Sequence, residues 1–344
     1  MDIQFGSTVV MDVGARYGMH PSWRGYKGSM NYLMFEPDKV EADRLRSKLD
    51  KNVFEIFETA LDSCEGERTF HLLKHRGLSS FLKPDLASEC FCRLKPGQAE
   101  IEREIKIKTR TIDAVMAEGK IKVDFLKVDT EGTEHDVIEG AAAQLDDCIL
   151  GVRSSCNFQP CFVGQKLFSE THDFLLSKGF VLLNLDYRGY GYPRLGLFRK
   201  PDPIEPEDFR YGMLVAADGV WIRRSEWCTK RFGNDVDAHD LSMLKLAHFC
   251  MLNNAPDVGI DLLREHVIAS GGRGMADRVK RTRLYNGLQL DIANFLGRWR
   301  TVPDEQWERV RGIFADIYGE PLAGGSEFYP QVQEMEARLH RTGQ

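Results

Sequence analysis

Two short stretches carry residue types that can do chemistry. The first is "VVMDVGARYG", Val9 to Gly18, where an apolar run meets Asp12 and a turn punctuated by Gly14 and Gly18. Glycines there let the backbone approach a bound ligand, and amides at a following helix start attract its polar groups. Glu36 stands about twenty residues beyond the turn, the spacing at which an acid meets ribose hydroxyls. The second stretch is "VDFLKVDTEGTEHDV", Val123 to Val137, which gathers Lys127, Asp129, Glu131, Glu134 and His135.

The glycine turn bears on which nucleoside cofactor is expected. A dinucleotide such as NAD needs G-x-G-x-x-G to admit its pyrophosphate. This turn lacks the middle glycine and places Asp12 ahead of the first one. A pyrophosphate beside Asp12 would meet like charge, whereas the cationic methionine end of S-adenosylmethionine would be stabilised. The second stretch then supplies the groups a methyl transfer requires. An alcohol is a poor nucleophile, so a positioned base, or a metal that lowers its pKa, must assist. Glu131 or His135 is the expected base, with Asp129 closer to the cofactor's amino group. In an extended segment Lys127, Asp129 and Glu131 share one face, unless the turn breaks that register after Asp129. The competing structural roles are a helix cap for Glu131, a favourable first-turn acid for Glu134 and charge neutralisation for Lys127. A divalent metal held by Asp129 and a neighbouring acid is the less favoured alternative. His20 is a further candidate, read as a helix-surface residue.

These residues need a scaffold, and the chain alternates strand-like with helix-like segments up to about Ile222, as a parallel sheet with helices on both faces does. "NYLMFEP" reads as the second strand, "DKVEADRLRSKLDK" as an amphipathic helix and "FEIFETALD" as the third strand. "RTFHLLK" and "EIKIKTRTID" are strands flanking an irregular loop. "VDFLKV" is a core strand, and "TEHDVIEGAAAQL" is its helix, with Val137 and Ile138 toward the sheet. "GFVLLNLDY" and "MLVAADGVWIRR" have no helix between them, which predicts an antiparallel end to the sheet. Beyond Asp240 the periodicity is helical throughout. The division expected is 1–235 for the α/β domain and 236–344 for an all-helical region, acting as a lid or an oligomerisation surface. The basic cluster Arg273, Arg278, Lys280, Arg281 and Arg283 reads as a solvated helix face, with phosphate recognition as the alternative.

The 344 residues are 42% hydrophobic and 28% charged, and the net charge of −6 offers no attraction to nucleic acid or anionic lipid. No run is long enough for a membrane span and the start "MDIQFGST" is not a signal peptide, so a cytoplasmic protein is expected. The 8 cysteines show no CxxC pair, so reduced thiols are expected rather than a zinc site or a disulfide framework. Metal binding by Cys90 and Cys92 is disfavoured.

"DVGARYG", "FEPDKVEADRL", "ALDSCEG", "GLSSF" and above all "VDFLKVDTEGTEHDVIEGA" resemble, in that order, the FkbM family of S-adenosylmethionine-dependent methyltransferases over most of residues 8–223. The resemblance implies a class I, Rossmann-like methyltransferase fold: a seven-stranded, mostly parallel sheet with an antiparallel last strand. It also implies O-methylation, often of sugars or secondary metabolites. Position by position, it implies that Asp12, Gly14 and Gly18 line the methionine and ribose end. Glu36 then takes the ribose hydroxyls, Pro37 and Asp38 shape the adenine edge, and Ala60, Leu61 and Asp62 hold the adenine ring. Asp129 and Glu131 face the transferable methyl group. The sequence departs from the family at Ser155, where a fifth-strand glutamate is common.

The acceptor expected is a small molecule or saccharide, with no nucleic acid partner. Ser79 and Ser80 of "GLSSF" are candidates to contact cofactor or acceptor. The loop bearing Tyr187, Arg188, Tyr190, Tyr192 and Arg194 suits stacking on sugar rings and clamping anionic groups. A nitrogen acceptor usually calls for an Asn/Asp-Pro-Pro-Tyr type motif where this chain has "DTEG", which argues against N-methylation. A non-catalytic, methyltransferase-like scaffold with a helical end for partners, or for a second copy of the chain, is the other alternative.

Overall fold

The structure is a computed structural model, and it describes residues 3–91, 97–186, 191–192 and 213–342. The chain divides into two compact units: Val9–His20 with Tyr32–Ile222, and Met1–Thr8 with Pro21–Asn31 and Arg223–Gln344.

The first unit is built on apolar runs. In chain order its elements are β1 (Thr8–Val13), β2 (Met30–Phe35), α1 (Lys39–Lys48), β3 (Phe54–Phe57), β4 (Ala60–Leu61), β5 (Gly66–Leu73), β6 (Ile101–Arg110), α2 (Ile112–Gly119) and β7 (Phe125–Val128). There follow α3 (Glu134–Glu139), α4 (Ala142–Asp147), β8 (Gly151–Asn157), α5 (Phe168–Ser177), β9 (Phe180–Asp186), β10 (Gly191–Tyr192), β11 (Met213–Leu214) and β12 (Ala216–Arg223). Seven strands form one sheet in the order β3-β2-β1-β7-β8-β12-β9. β1, β7 and β8 pair in parallel, and β12 runs antiparallel to β8. This is the Rossmann-like, mostly parallel sheet with an antiparallel late strand that the sequence predicts.

Strand side chains alternate between faces. Val9, Met11, Val13, Leu33, Phe35, Leu126, Val128 and Val152 therefore fall on one face, buried in a core with Met116, Val137, Ile138 and Leu175 from the helices. The residues between them, among them Asp12, Tyr32, Lys127 and Arg153, fall on the other face.

Three local expectations are corrected. "FEIFETALD" is two strands in two sheets, because β4 leaves the main sheet and joins β6 and β5 in a three-stranded sheet. The helix after β7 is broken at Gly140, where a Cβ would lie 2.2 Å from the Asp62 carbonyl oxygen. No α-helix starts at Gly18: a 3-10 turn occupies Pro21–Gly25 instead. Gly14 and Ala15 spend their amides on the Phe35 carbonyl oxygen, at 3.0 and 3.2 Å, rather than offering them to a ligand.

The helical unit carries α6 (Ser225–Phe232), α7 (Val236–Leu252), α8 (Pro256–Ala269), α9 (Asp277–Lys280), α10 (Arg283–Leu296), α11 (Asp304–Tyr318) and α12 (Phe328–Arg341). Helix α7 is buried on nearly every side, its polar Asp240, Ser242, Lys245 and His248 included. Its buried Asp240 accepts from His266 Nε2 and the Ala276 amide, both at 2.7 Å, and from Arg273. Those bonds outweigh the penalty of burial and hold the carboxyl well below its ordinary range. Arg273 is therefore spent on a core carboxylate rather than a solvated face. Among the described residues, no helix is long and apolar enough to cross a membrane.

The expectation of reduced thiols throughout is also corrected. Cys90 and Cys161 form a disulfide across 71 residues of sequence. Two loops bring them together: the Asp85 amide donates to the Cys161 carbonyl and the Val163 amide to the Lys83 carbonyl. Cys92 lies outside the described residues.

Candidate active site

A cleft lies where β1, β2 and β7 end, its roughly 800 Å³ of space including open solvent at the mouth. The β1 end contributes Val13, Gly14, Arg16 and Tyr17; the β2 end contributes Phe35, Glu36, Pro37 and Asp38. Thr59, Ala60 and Leu61 come from the crossing into the small sheet, Asp129, Thr130, Glu131 and Thr133 from the turn after β7. The C-terminal ends of parallel strands are where open α/β sheets bind ligands.

Gly14 is fixed by close approach. Its φ is +80°, and a Cβ would lie 1.8 Å from the Asp129 carbonyl oxygen, so the turns after β1 and β7 touch only because it is glycine. Glu36 is buried at the cavity wall, its Oε1 accepting from the Asp38 amide at 2.9 Å. Burial pushes its carboxyl up, against the pull of that amide and of Arg16. Asp38 caps α1 through the Val40 amide at 3.0 Å and accepts from Arg16 at 3.2 Å.

The turn after β7 and the first residue of α3 together carry three carboxylates. Asp129 is anchored by its amide to the Val13 carbonyl, and its side chain lies 3.5 Å from Lys127 Nζ. Glu131 has a left-handed backbone, φ +57°, unusual for a residue with a Cβ, and Gly132 follows at +102°. Glu134 holds that conformation: its carboxylate accepts from the Thr130 amide at 2.8 Å and the Gly132 amide at 3.0 Å. Desolvation, then the charges of Asp129 and Glu134, drive the Glu131 carboxyl well above its ordinary range. Glu134 is pushed up to about 7, by burial first and Asp129 second.

Several expected residues stand elsewhere. Asp12 is fully buried, accepting from the Tyr32 hydroxyl at 2.7 Å and paired with Lys127 Nζ at 3.0 Å, so its charge is matched inside the protein. Burial opposes the Lys127 charge, but Asp12 and Asp129 more than offset this and its pKa rises. Lys127, Asp129 and Glu131 do not share one face, because the left-handed turn breaks the register. Gly18 does not line the cavity, and a Cβ there would meet open space. Asp62 is buried against Arg68, and Ser80 is fully buried with its Oγ accepting from the Leu82 amide at 3.0 Å. His135 is turned to α5, with Nδ1 3.4 Å from Thr171 Oγ1 and its ring against Phe174. Tyr187, Arg188, Tyr190 and Arg194 lie outside the described residues, and Tyr192 is described only as a strand position paired with Met213.

The cavity also has a wall that chemical residue types do not reveal. Phe70 and Leu72 of β5, with Arg76, Gly77, Ser79 and Phe81 beyond it, also line the cavity. Phe81 packs edge-on against Phe70 and lies under the Arg68 guanidinium at 4.9 Å, which Asp62 holds. A Cβ at Gly77 would sit 2.2 Å from the Tyr17 hydroxyl. The "GLSSF" motif is the one sequence signal that points there.

On the polar face of the sheet a second set of charges extends from Asp129. Pairing sets Asp12 beside Lys127 and Lys127 beside Arg153. Arg153 donates to Asp218 at 2.7 Å and to Asp186 at 3.2 Å, and His20 Nε2 lies 3.8 Å from Asp218. Asp218 stands directly opposite Ser155 on the neighbouring strand. His20 is thus part of a charged row and not of a helix surface. Among the described residues, no group of three or more His, Cys, Asp or Glu is arranged to hold a metal ion.

Residues 12–182 match the family described as the methyltransferase FkbM domain. The fold and the match together define a Rossmann-like methyltransferase domain of the FkbM family over residues 12–182. Among solved structures it is similar to methyltransferase FkbM from Methylobacillus flagellatus KT, at 13% identity and a TM-score of 0.37. That alignment covers 64% of this chain and 44% of the other, so this chain spans less than half of that protein's length. No curated protein matches the chain.

Proposed function

We propose that this protein is an S-adenosylmethionine-dependent O-methyltransferase acting on a hydroxyl of a sugar, glycoconjugate intermediate or natural product. The observation that carries the reading is one cavity with Glu36 at one end and the Asp129–Glu131 turn at the other. Those residues fit the cofactor. Glu36 is a hydrogen-bond acceptor suited to ribose hydroxyls, and Phe35, Ala60, Leu61 and Phe81 offer an apolar bed for a purine. When bound, the cofactor supplies a methyl group activated by a positively charged sulfur.

The protein's own residues do the rest. Asp129 marks the end of the cavity where positive charge is best stabilised. Glu131, which lines the cavity, takes the acceptor's proton on its carboxylate. The left-handed turn, clamped by Glu134, keeps that carboxylate at the cavity wall.

Calorimetry with S-adenosylmethionine tests the reading. Glu36→Ala is expected to weaken binding by about 1.5–3 kcal/mol through loss of a charged acceptor. Glu131→Gln is expected to lower turnover far more than affinity. A folded protein that binds no cofactor would instead be the non-catalytic scaffold.

A further inference from the structure

We propose that the outer edge of β6 is a self-association surface, on which a second copy of this chain pairs its own β6 antiparallel about Ile105.

Topology leaves the edge bare. In the three-stranded sheet β6 lies between β5 and β4, but β4 reaches only Thr109 and Arg110. β5 follows the other side of β6 from Thr109 back to Ile101. Successive residues of an antiparallel strand turn their peptide groups to opposite sides. The Arg110 carbonyl accepts from the Asp62 amide at 2.9 Å, on the β4 side. Counting back by twos, the peptide groups of Lys108, Lys106, Glu104 and Glu102 point to that same side. Among the described residues, no backbone group pairs with them there. The Glu102 and Glu104 side chains are 51% and 50% exposed, and Arg103, Lys106 and Lys108 are exposed as well. A run of unpaired peptide groups open to solvent is a template for another strand.

Charge decides which strand fits. Side chains two apart share a face, so Glu102, Glu104, Lys106 and Lys108 form one row, two acids followed by two bases. Their outward peptide groups restrict an antiparallel partner copy to registers in which these residues oppose one another. With Ile105 opposite its own copy, Glu104 faces Lys106 and Glu102 faces Lys108, each twice by symmetry, and no like charges meet. Sliding by two residues sets Glu104 against Glu104 in one direction and Lys106 against Lys106 in the other. The second of these also asks for Arg110, which β4 already holds. Charges on an edge ordinarily discourage pairing between copies. Here their order is self-complementary, and opposite charges directly across an antiparallel pair are stabilising.

The row's partners within the chain stand on the β5 side. Glu102 pairs with Arg76, Glu104 lies 3.1 Å from His71 Nδ1, and Lys106 donates to Thr69 Oγ1 at 2.8 Å. All three come from β5 or the turn after it, so the opposite edge stays open. On the other face of the strand, Ile105 would meet its copy, and the Arg103 stem would lie along Ile107 of the second copy.

Sedimentation velocity on the full chain, without ligand, tests this. A monomer–dimer equilibrium is expected with a dissociation constant of about 1–100 µM, the range of a small interface. Lys106→Glu should weaken the dimer at least about tenfold, because Glu104 then faces a like charge twice. Glu104→Lys should do the same from the other side. An equimolar mixture of the two single variants should recover the dimer, and so should the chain carrying both exchanges, since each restores an acid opposite a base. Thermal melting shows which variants are folded; if one single variant is not, the other and the double exchange still decide. A chain that stays monomeric up to about 200 µM overturns the proposal. So does a dimer that the single variants leave intact, which must use another surface, or a loss that neither mixing nor the double exchange recovers.

Discussion

Removing the Lys127 ammonium while keeping its bulk, as in Lys127→Met, tests what holds the end of β1 to the end of β7. Its Nζ is 3.0 Å from an Asp12 carboxylate that is fully buried. At that separation and an effective dielectric near 20 the pair attracts by about 5 kcal/mol. Part of that offsets the cost of taking both charges out of water, so the measurable quantity is the loss on breaking the pair. Stranding one member of a buried pair costs about 3–5 kcal/mol. For a domain of this size that lowers the melting temperature by roughly 6–20 °C. Urea denaturation of Lys127→Met, Asp12→Asn and the double variant closes a thermodynamic cycle. The double variant is expected to recover most of the loss, because neither charge is then left alone. It should also bind S-adenosylmethionine within a few-fold of the unaltered protein, since Asp12 is engaged by Lys127 rather than by ligand. A single variant within about 1 kcal/mol of the parent, or independent effects in the cycle, would refute the argument.

Gly14→Ala forces a Cβ onto the Asp129 carbonyl at a left-handed position, with an expected destabilisation of about 2–5 kcal/mol and weakened cofactor binding, read by melting and calorimetry. Glu134 has a folded pKa of about 7, above the ordinary carboxylate value of 4.5. The stability that its proton contributes is full below 4.5 and lost as the pH rises through 7, by up to about 3 kcal/mol. Glu134→Gln should flatten the urea midpoint across that window; an unchanged slope would count against it. Reducing Cys90–Cys161, or replacing both with serine, opens a loop of 71 residues and is expected to cost about 2–4 kcal/mol, measured by denaturation with and without reductant.

Much of the scaffold was legible because its signals are local. β1, β2 and β7 are largely apolar runs, and α1 begins at an aspartate that caps it through Val40. The breaks were not, since each is imposed from a distance. Between α3 and α4 the Asp62 carbonyl lies where a Cβ of Gly140 would sit, and the strand after β3 pairs with β6 rather than with the main sheet. Phe70 and Phe81 escaped notice for a different reason: a cavity wall made of apolar side chains looks like any other core.

The sequence by itself determined that acids stand at the ends of the second and central strands and that a glycine turn follows the first, because composition and spacing are local properties of the chain. Tertiary structure decided which of those acids meet the cavity. The parallel register of β1 and β7 sets Asp12 beside Lys127 and seals it in. A left-handed turn clamped by Glu134 leaves Glu131 at the cavity wall. Pairing register and a single backbone angle are fixed by contacts between segments far apart in the chain, and no short stretch of residues contains them.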